Sequence, residues 1–152
     1  QTCALPISVE SAYRAIATGR DVAIAERRNV ELTFVTPNIL RLERENIDAA
    51  GTMTGKTTVL ELTLDGGQQF LKFSGVPDTP DGFGNANAVT FGGAAPVMFA
   101  SDGTLVDASG DPVNGTVFLG TPNAKDSARA VTIFGASGLV RSWKWRGTSW
   151  VR

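Results

Sequence analysis

The sequence contains no histidine and only one cysteine among its 152 residues. Without histidine, a Ser-His-Asp triad cannot form, and the side chain most often used as a general base near neutral pH is missing. The single cysteine, Cys3, cannot close a disulfide within the chain. These absences remove the commonest nucleophilic arrangements and predict a protein that is not an enzyme.

Long apolar runs and an excess of charge are absent as well. No apolar stretch reaches the roughly 18 residues that indicate a transmembrane helix. The formal net charge is −1, so the chain as a whole does not attract polyanions. Any preference for nucleic acid must therefore come from a local group of basic side chains.

The first seven residues differ in character from the rest of the chain. Gln1–Ile7 resembles the conceptual translation of a common sequencing adaptor. We expect this segment to be a non-native leader and the native 5′ end of the gene to be lost, and we exclude it from fold prediction. Residues 8–152 are then predicted to form one domain, in which residues 30–152 are β-rich and no thiol is present.

Residues 8–28 are predicted to form an amphipathic helix. Ser8 is a suitable N-cap, no proline interrupts the segment, and Asn29 suits the helix end because asparagine tolerates the left-handed conformation. Gly19 predicts a close approach of the helix to a sheet. Apolar residues recur at steps of three, four or seven and define one face: Val9, Ala12, Tyr13, Ile16 and Ala23.

From Val30 onward the apolar period changes from helical to two, which is typical of strands. Turn residues separate the alternating segments, and a loop rich in Gly, Pro, Asp and Asn covers residues 74–87. One helix followed by many short antiparallel strands predicts an α+β fold. The predicted strands are 30–34, 40–43, 58–64, 69–73, 88–91, 97–99, 116–119, 130–134 and 140–145.

The segment Ala50–Thr57 formally matches a relaxed phosphate-binding P-loop. That chemistry needs a helix after the loop, whose N-terminal amides hold the phosphates. The residues that follow alternate as a strand, so a polar hairpin loop is the preferred interpretation. A nucleotide-binding protein built on Lys56 stays as a remote alternative.

Other candidate sites lack the partners that their chemistry needs. Ser137 lies in a Gly-Ala-Ser-Gly turn but has no base to activate it, and Glu43 and Glu45 are interpreted as solvated charges. Four oxygen-bearing side chains without the regular spacing of a calcium loop occur in the long loop: Asp78, Asp81, Asn85 and Asn87. We therefore predict no catalytic residue, no metal site and no cofactor.

The last two dozen residues hold all three tryptophans, interleaved with basic side chains. Alternation places Arg141, Trp143 and Trp145 on one face of a strand and Lys144 on the other. Two interpretations stay open: the tryptophans pack on the core, or the hairpin forms a surface that contacts polyanions.

Several segments in this order resemble the GspH/FimT family of type IV pilin-like proteins, the minor pseudopilins. They are the helix that passes directly into a strand (Ala17–Phe34), then Phe99–Thr104, Val113–Leu119 and the closing stretch Ala128–Trp145. The resemblance implies one long N-terminal helix packed on an antiparallel, β-sandwich-like head that ends in a C-terminal β-hairpin.

The same resemblance implies a structural role in a type II secretion pseudopilus or a type IV pilus. Partners would be other pilins or pseudopilins in a filament, and the inner membrane through an N-terminal helix that this sequence lacks. The implied location is the bacterial inner membrane and periplasm, with filament association at the cell surface.

Some FimT-type members resemble DNA receptors for natural transformation, with a Gly-Arg-x-Arg motif near the C-terminus. Here Gly138 and Arg141 match that motif, while Leu139 replaces its first arginine. Loss of one phosphate contact predicts weaker DNA binding, which other cations offset in part. The candidate DNA-binding residues are Gly138, Arg141, Lys144, Arg146 and Arg152.

Overall fold

The computed structural model describes the backbone of residues 4–152 and the side chains of residues 9–152. The first three positions of the expected leader Gln1–Ile7, including Cys3, and the side chain of the expected N-cap Ser8 lie outside the described residues. Helix α1 (Ala4–Glu26) is followed by strands β1 (Val30–Val35), β2 (Ile39–Ile47), β3 (Met53–Thr63), β4 (Gln69–Phe70), β5 (Val89–Phe91), β6 (Val97–Phe99), β7 (Leu105–Val106), β8 (Gly115–Thr121), β9 (Ala124–Phe134), β10 (Leu139–Trp145) and β11 (Trp150–Val151).

The predicted helix bounds, 8–28, are wrong at both ends, since α1 begins at Ala4 and ends at Glu26. The residue that terminates the helix is Arg27, with a φ of 55°, and not Asn29. The Arg28 N–H donates to the Ala23 carbonyl at 3.2 Å, which is the Schellman pattern of a left-handed helix cap. Arg27 therefore takes the left-handed conformation at the helix end, although asparagine, which occurs at position 29, has the higher intrinsic preference for it.

The predicted apolar face of α1 packs against the sheets. Val9, Ala12, Ile16 and Ala23 are buried, and Tyr13 is half-buried against the same core. The predicted close approach at Gly19 is confirmed, because a Cβ added there would lie 3.4 Å from both methyl carbons of Leu42. A side chain larger than alanine would not fit at this distance, so the helix axis comes close to the sheet here.

Two antiparallel sheets form the head. The first has the strand order β3-β2-β1-β6-β7, and the second has the order β11-β10-β9-β8-β4, with β5 also paired to β8. Helix α1 contacts strands of both sheets, and the main core lies between the helix and their inner faces. One helix with antiparallel sheets agrees with the predicted α+β class.

The segment interpreted as a hairpin loop, residues 50–57, is instead mostly strand. Asp48 organises a tight turn, because its Oδ1 accepts the N–H groups of Ala50 and Thr52 at 2.9 Å each. Lys56 then lies inside β3, directly opposite Glu45 of β2. No helix follows it, so the phosphate cradle of a P-loop does not form here.

The predicted strand 69–73 does not return along β3. Gly66 and Gly67 both take positive φ values, 67° and 78°, and redirect the chain to the second sheet. There β4 is two residues long and pairs with β8, with Phe70 opposite Leu119. Turn residues predict the change of direction at Gly66 and Gly67, but the local sequence does not specify which sheet receives β4.

The second sheet is buried on both faces. Its outer face carries a second, smaller apolar cluster beside the long loop between β4 and β5. Trp150 connects this cluster to the long loop, since its Nε1–H donates to the Pro77 carbonyl of that loop at 2.9 Å. The tryptophans are buried as the packing interpretation predicts, but in this separate cluster and not in the main core. Its members are Val76, Phe118, Ala128, Ala130, Trp143, Trp145 and Trp150.

Among the described residues, no helix combines the length and the apolarity that crossing a bilayer requires.

Candidate functional site

The turn between β9 and β10 begins the C-terminal hairpin and contains the motif glycine. Gly138 has a φ of 73°, and its N–H donates to the Phe134 carbonyl at 2.8 Å. A Cβ at this position would overlap the Gly103 carbonyl oxygen and the Arg20 side chain. Glycine at position 138 therefore serves the packing of two turns against the helix.

Arg20 of α1 holds this turn in place. Its Nε–H lies 3.2 Å from the Gly103 carbonyl oxygen and 3.1 Å from that of Ser137, so it donates to both turns. The Ser137 hydroxyl accepts the Leu139 N–H at 3.2 Å. Ser137 is thus an exposed turn residue whose polar groups are engaged locally.

Arg141 lies on the outer face of the second sheet and is paired with the long loop. Its Nη1 lies 2.6 Å from Asp81 Oδ1, and the Asp81 side chain is only 12 % exposed. Asp81 also accepts a 2.7 Å bond from the Thr132 hydroxyl, which in turn accepts the Trp143 Nε1–H at 3.0 Å. The network joins the loop to the sheet and neutralises the Arg141 guanidinium.

Two of the four oxygen-bearing loop residues, Asp78 and Asp81, have protein partners. Asp78 accepts the N–H groups of Thr79 and Gly84 at 2.7 Å and 2.9 Å, while Asp81 is used by Arg141. Among the side chains of residues 9–152, no group of three or more acidic, histidine or cysteine residues is arranged to hold a metal ion.

The remaining candidate cations lie at the other end of β10. Lys144 and Arg146 are exposed, and Lys144 pairs with Val151 of β11. The Arg152 guanidinium lies 5.8 Å from the centre of the Trp143 ring, within cation–π range. The five candidate DNA-binding residues therefore fall into two groups: Gly138 and Arg141 near the first turn, and the three cations near the last one.

A buried cation that the sequence pattern missed lies beside Lys144. Arg129 is directly opposite it on β9 and is only 4 % exposed. Its Nη1 donates to the carbonyls of Asp126 and Ala128 at 3.2 Å and 2.9 Å, and burial lowers its pKa. Both of these hydrogen bonds of the Arg129 guanidinium are to backbone carbonyls.

Leu139, at the position of the missing motif arginine, belongs to an exposed apolar patch. It is 50 % exposed and pairs with Phe134, which is 44 % exposed. Phe134 stacks on Phe83 of the long loop, with ring centres 6.2 Å apart. The turn exit is therefore apolar at its surface, with the Arg141–Asp81 pair beside it.

Charged side chains cluster on the outer face of the first sheet. Glu31 is buried, and its Oε1 lies 2.9 Å from Lys56 Nζ. That contact raises the pKa of Lys56. Burial, followed by a hydrogen bond and charge repulsion from Glu31, raises the pKa of Glu45. Glu43 and Glu45, which are interpreted from the sequence as solvated charges, are both half-buried.

A groove of 850 Å³ opens between the two sheets. Three aromatic rings line it: Phe34 lies 5.3 Å from Phe70 and 6.0 Å from Phe91, centre to centre. Pro96 and Val97 close another side. Alternation puts Phe34 on the same face of β1 as Val30 and Leu32, but nothing in the sequence indicates that β1 and β5 leave space between them.

Comparison with solved structures relates this fold to pilins. The minor pseudopilin EpsH from the type 2 secretion system of Vibrio cholerae superposes with a TM-score of 0.59 at 16 % identity, over 93 % of this chain and 97 % of that one. The type IV minor pilin FimU of Pseudomonas aeruginosa gives 0.58 at 13 % identity, over 97 % and 92 % of the two chains. No protein-family model and no curated protein matches the sequence.

Proposed function

We propose that this protein is a minor pilin-like subunit of a bacterial filament, either a type II secretion pseudopilus or a type IV pilus. The observation that carries the proposal is the likeness to a minor pseudopilin and a minor pilin over more than nine-tenths of this chain. The helix supports it as well, because α1 packs one apolar face on the head and keeps Glu10, Arg14 and Asp21 exposed.

The proposed role is structural and not catalytic. Ser137 has its hydroxyl bonded to a turn amide, and Lys56 and Arg141 are each held by a carboxylate. We include in the proposal membership of the GspH/FimT group and an apolar helix upstream of α1, which would anchor the protein in the inner membrane.

Filament association can be tested in the source bacterium. Filaments sheared from cells and probed with an antibody to the head are expected to contain the protein. Deleting the gene is expected to reduce secretion or piliation, and restoring it should recover the activity. Filaments that form normally and never contain the protein would refute the structural role. Complementation with a Lys125→Ala variant, an exposed substitution in β9, serves as the matched control.

A second candidate function, DNA capture, is favoured by the exposed Lys144 and Arg146 at the end of the hairpin. Phosphate binding needs accessible charge more than a fixed side-chain geometry, and these residues offer it. The Arg141 guanidinium contributes less, because Asp81 already neutralises it.

Titration of the head with duplex DNA at low salt tests this second function. If Lys144 and Arg146 each contact a phosphate, log of the DNA association constant falls less steeply with log salt concentration in the double alanine variant. The magnitude of that slope should be smaller by about two units. Arg141→Ala is expected to change binding less than either single substitution. Equal binding by the wild type and the double variant would exclude this surface.

A further inference from the structure

Strand β3 is an unusually long free edge. It spans 11 residues at the end of the first sheet, and its outer side faces no other strand of the described chain. Alternate residues of such a strand direct their N–H and C=O groups away from the sheet, which forms a template for another strand. Proteins usually keep such edges short or blocked.

The other sheet edges of the described chain follow that rule. Strands β4, β7 and β11 have two residues each, and β5 has three. In contrast, β3 contains no proline, and both of its charged side chains are engaged inside the sheet. Lys56 bonds Glu31 at 2.9 Å, and Glu61 lies 3.7 Å from Arg41.

We propose that β3 pairs antiparallel with β3 of a second copy of this chain, across a two-fold axis between Thr58 and Val59. In this register Lys56 lies opposite Glu61 of the partner subunit, and the contact occurs twice. The occupant is identified by charge complementarity, because a cross-strand pair of opposite charges is favourable and a pair of like charges is not.

Strand β3 contains a β-bulge, an extra residue in its pairing with β2. The bulge allows Lys56 and Glu61 to lie on the same face of the sheet, as the proposed register requires. Residues that lie opposite each other must share a face, and in a regular strand positions five apart do not. Pairing with β2 slips by one residue between Leu60 and Thr58, where Val59 is extra. Lys56 and Glu61 therefore both lie on the outer face, as their contacts with Glu31 and Arg41 show.

The pairing also extends existing contacts into one row across both subunits. Arg41 is opposite Glu61, and Lys56 is opposite Glu45. Joined through the proposed edge, the row runs Arg41, Glu61, Lys56 of the partner subunit and Glu45 of the partner subunit, with alternating sign at each step. An 11-residue edge buries less than a standard interface, so we expect a weak dimer that depends on concentration.

Sedimentation equilibrium of the folded head tests the proposal. The wild type is expected to convert from monomer to dimer between about 10 μM and about 1 mM. Lys56→Glu and Glu61→Lys should each weaken dimerisation about tenfold or more, because each brings like charges together twice. Mixing the two variants should restore a heterodimer, since opposite charges then face each other in both contacts. Lys72→Glu, at an exposed lysine outside β3, should behave as the wild type.

A wild type that stays monomeric at about 1 mM would overturn the proposal, as would variants that dimerise normally. Because Lys56→Glu puts a carboxylate beside buried Glu31 and so risks misfolding, amide exchange gives a second readout. The β3 amides of the wild type should exchange more slowly at high protein concentration, and those of Glu61→Lys should not change. The outcome is independent of filament assembly, so failure of either proposal leaves the other standing.

Discussion

Arg141 and Asp81 are 60 residues apart in sequence and form a 2.6 Å ion pair that connects the long loop to the C-terminal hairpin. The same carboxylate accepts the Thr132 hydroxyl, so three segments meet at one side chain. A residue that the sequence nominates for DNA contact thus also has a folding role. Changes at Arg141 must be interpreted with both effects in mind.

Replacing Arg141 by alanine is expected to lower the free energy of unfolding by about 1–3 kcal/mol, because Asp81 loses a charged hydrogen-bond partner in a mostly buried position. Urea denaturation of Arg141→Ala, Asp81→Ala and the double variant would give the coupling between them. Lys144→Ala, on an exposed side chain of the same strand, should stay within about 0.5 kcal/mol of the wild type. If the double variant loses as much unfolding free energy as the two single variants together, the two side chains are not coupled and the ion pair does not stabilise the fold.

Gly138→Ala should be more harmful than Gly147→Ala, although both glycines have positive φ. Position 147 has open space around it, so its cost is limited to about 1 kcal/mol of backbone strain. At position 138 the new methyl also overlaps the Gly103 carbonyl and Arg20, which should add about 1–3 kcal/mol. Thermal unfolding of the two variants compares them directly, and equal losses would contradict the packing role.

Gly19 is expected to tolerate alanine and reject leucine. Alanine favours the helix by up to about 1 kcal/mol, and its Cβ would meet Leu42 and Phe99 at ordinary contact distances. Leucine does not fit between the helix and the sheet, so Gly19→Leu should cost about 1–3 kcal/mol. Chemical denaturation should show a higher free energy of unfolding for Gly19→Ala and a lower one for Gly19→Leu. An unchanged value for Gly19→Leu would mean that the helix can move away from the sheet.

Glu45 should make stability depend on pH. Its pKa in the folded state is raised above 4.5, chiefly by burial and then by Glu31. The protonated form is therefore favoured by folding, and this contribution is complete below the ordinary pKa and lost as pH rises through the raised one. The wild type should lose stability relative to Glu45→Gln as the pH rises from the ordinary pKa of glutamate through the raised pKa of the folded state. Parallel stability curves for the two proteins would rule out this linkage.

Local pattern predicts the elements that bury one face. The helical stripe from Val9 to Ala23 and the period-two strands from Val30 to Leu42 are predicted correctly, because a single core imposes its own periodicity on the sequence. Gly19 is predicted for the same reason, since only a close approach explains glycine inside an otherwise regular helix. The sequence does not predict the ends of strands or short strands such as β7, because too few residues there carry the period-two pattern.

Features that depend on distant partners could not be predicted from the sequence. Glu31 alternates as a surface residue should, yet Lys56 from another strand allows it to be buried. Nothing local indicates the loop that covers the outer face of the second sheet, so the sequence does not predict that the tryptophans pack in a separate cluster there. Likewise the pairing of Arg141 with Asp81 depends on where a loop without secondary structure lies.

The double burial of the second sheet has a consequence for motion. In β9, the residues from Ser127 to Ile133 are all buried, whereas most of β3 is exposed along its length. Strand β9 is paired with β8 on one edge and β10 on the other, so amide protons in its middle can meet solvent only when the covered sheet itself opens. Hydrogen exchange at these positions should therefore report the unfolding of the whole head, while exchange in β3 reports local opening.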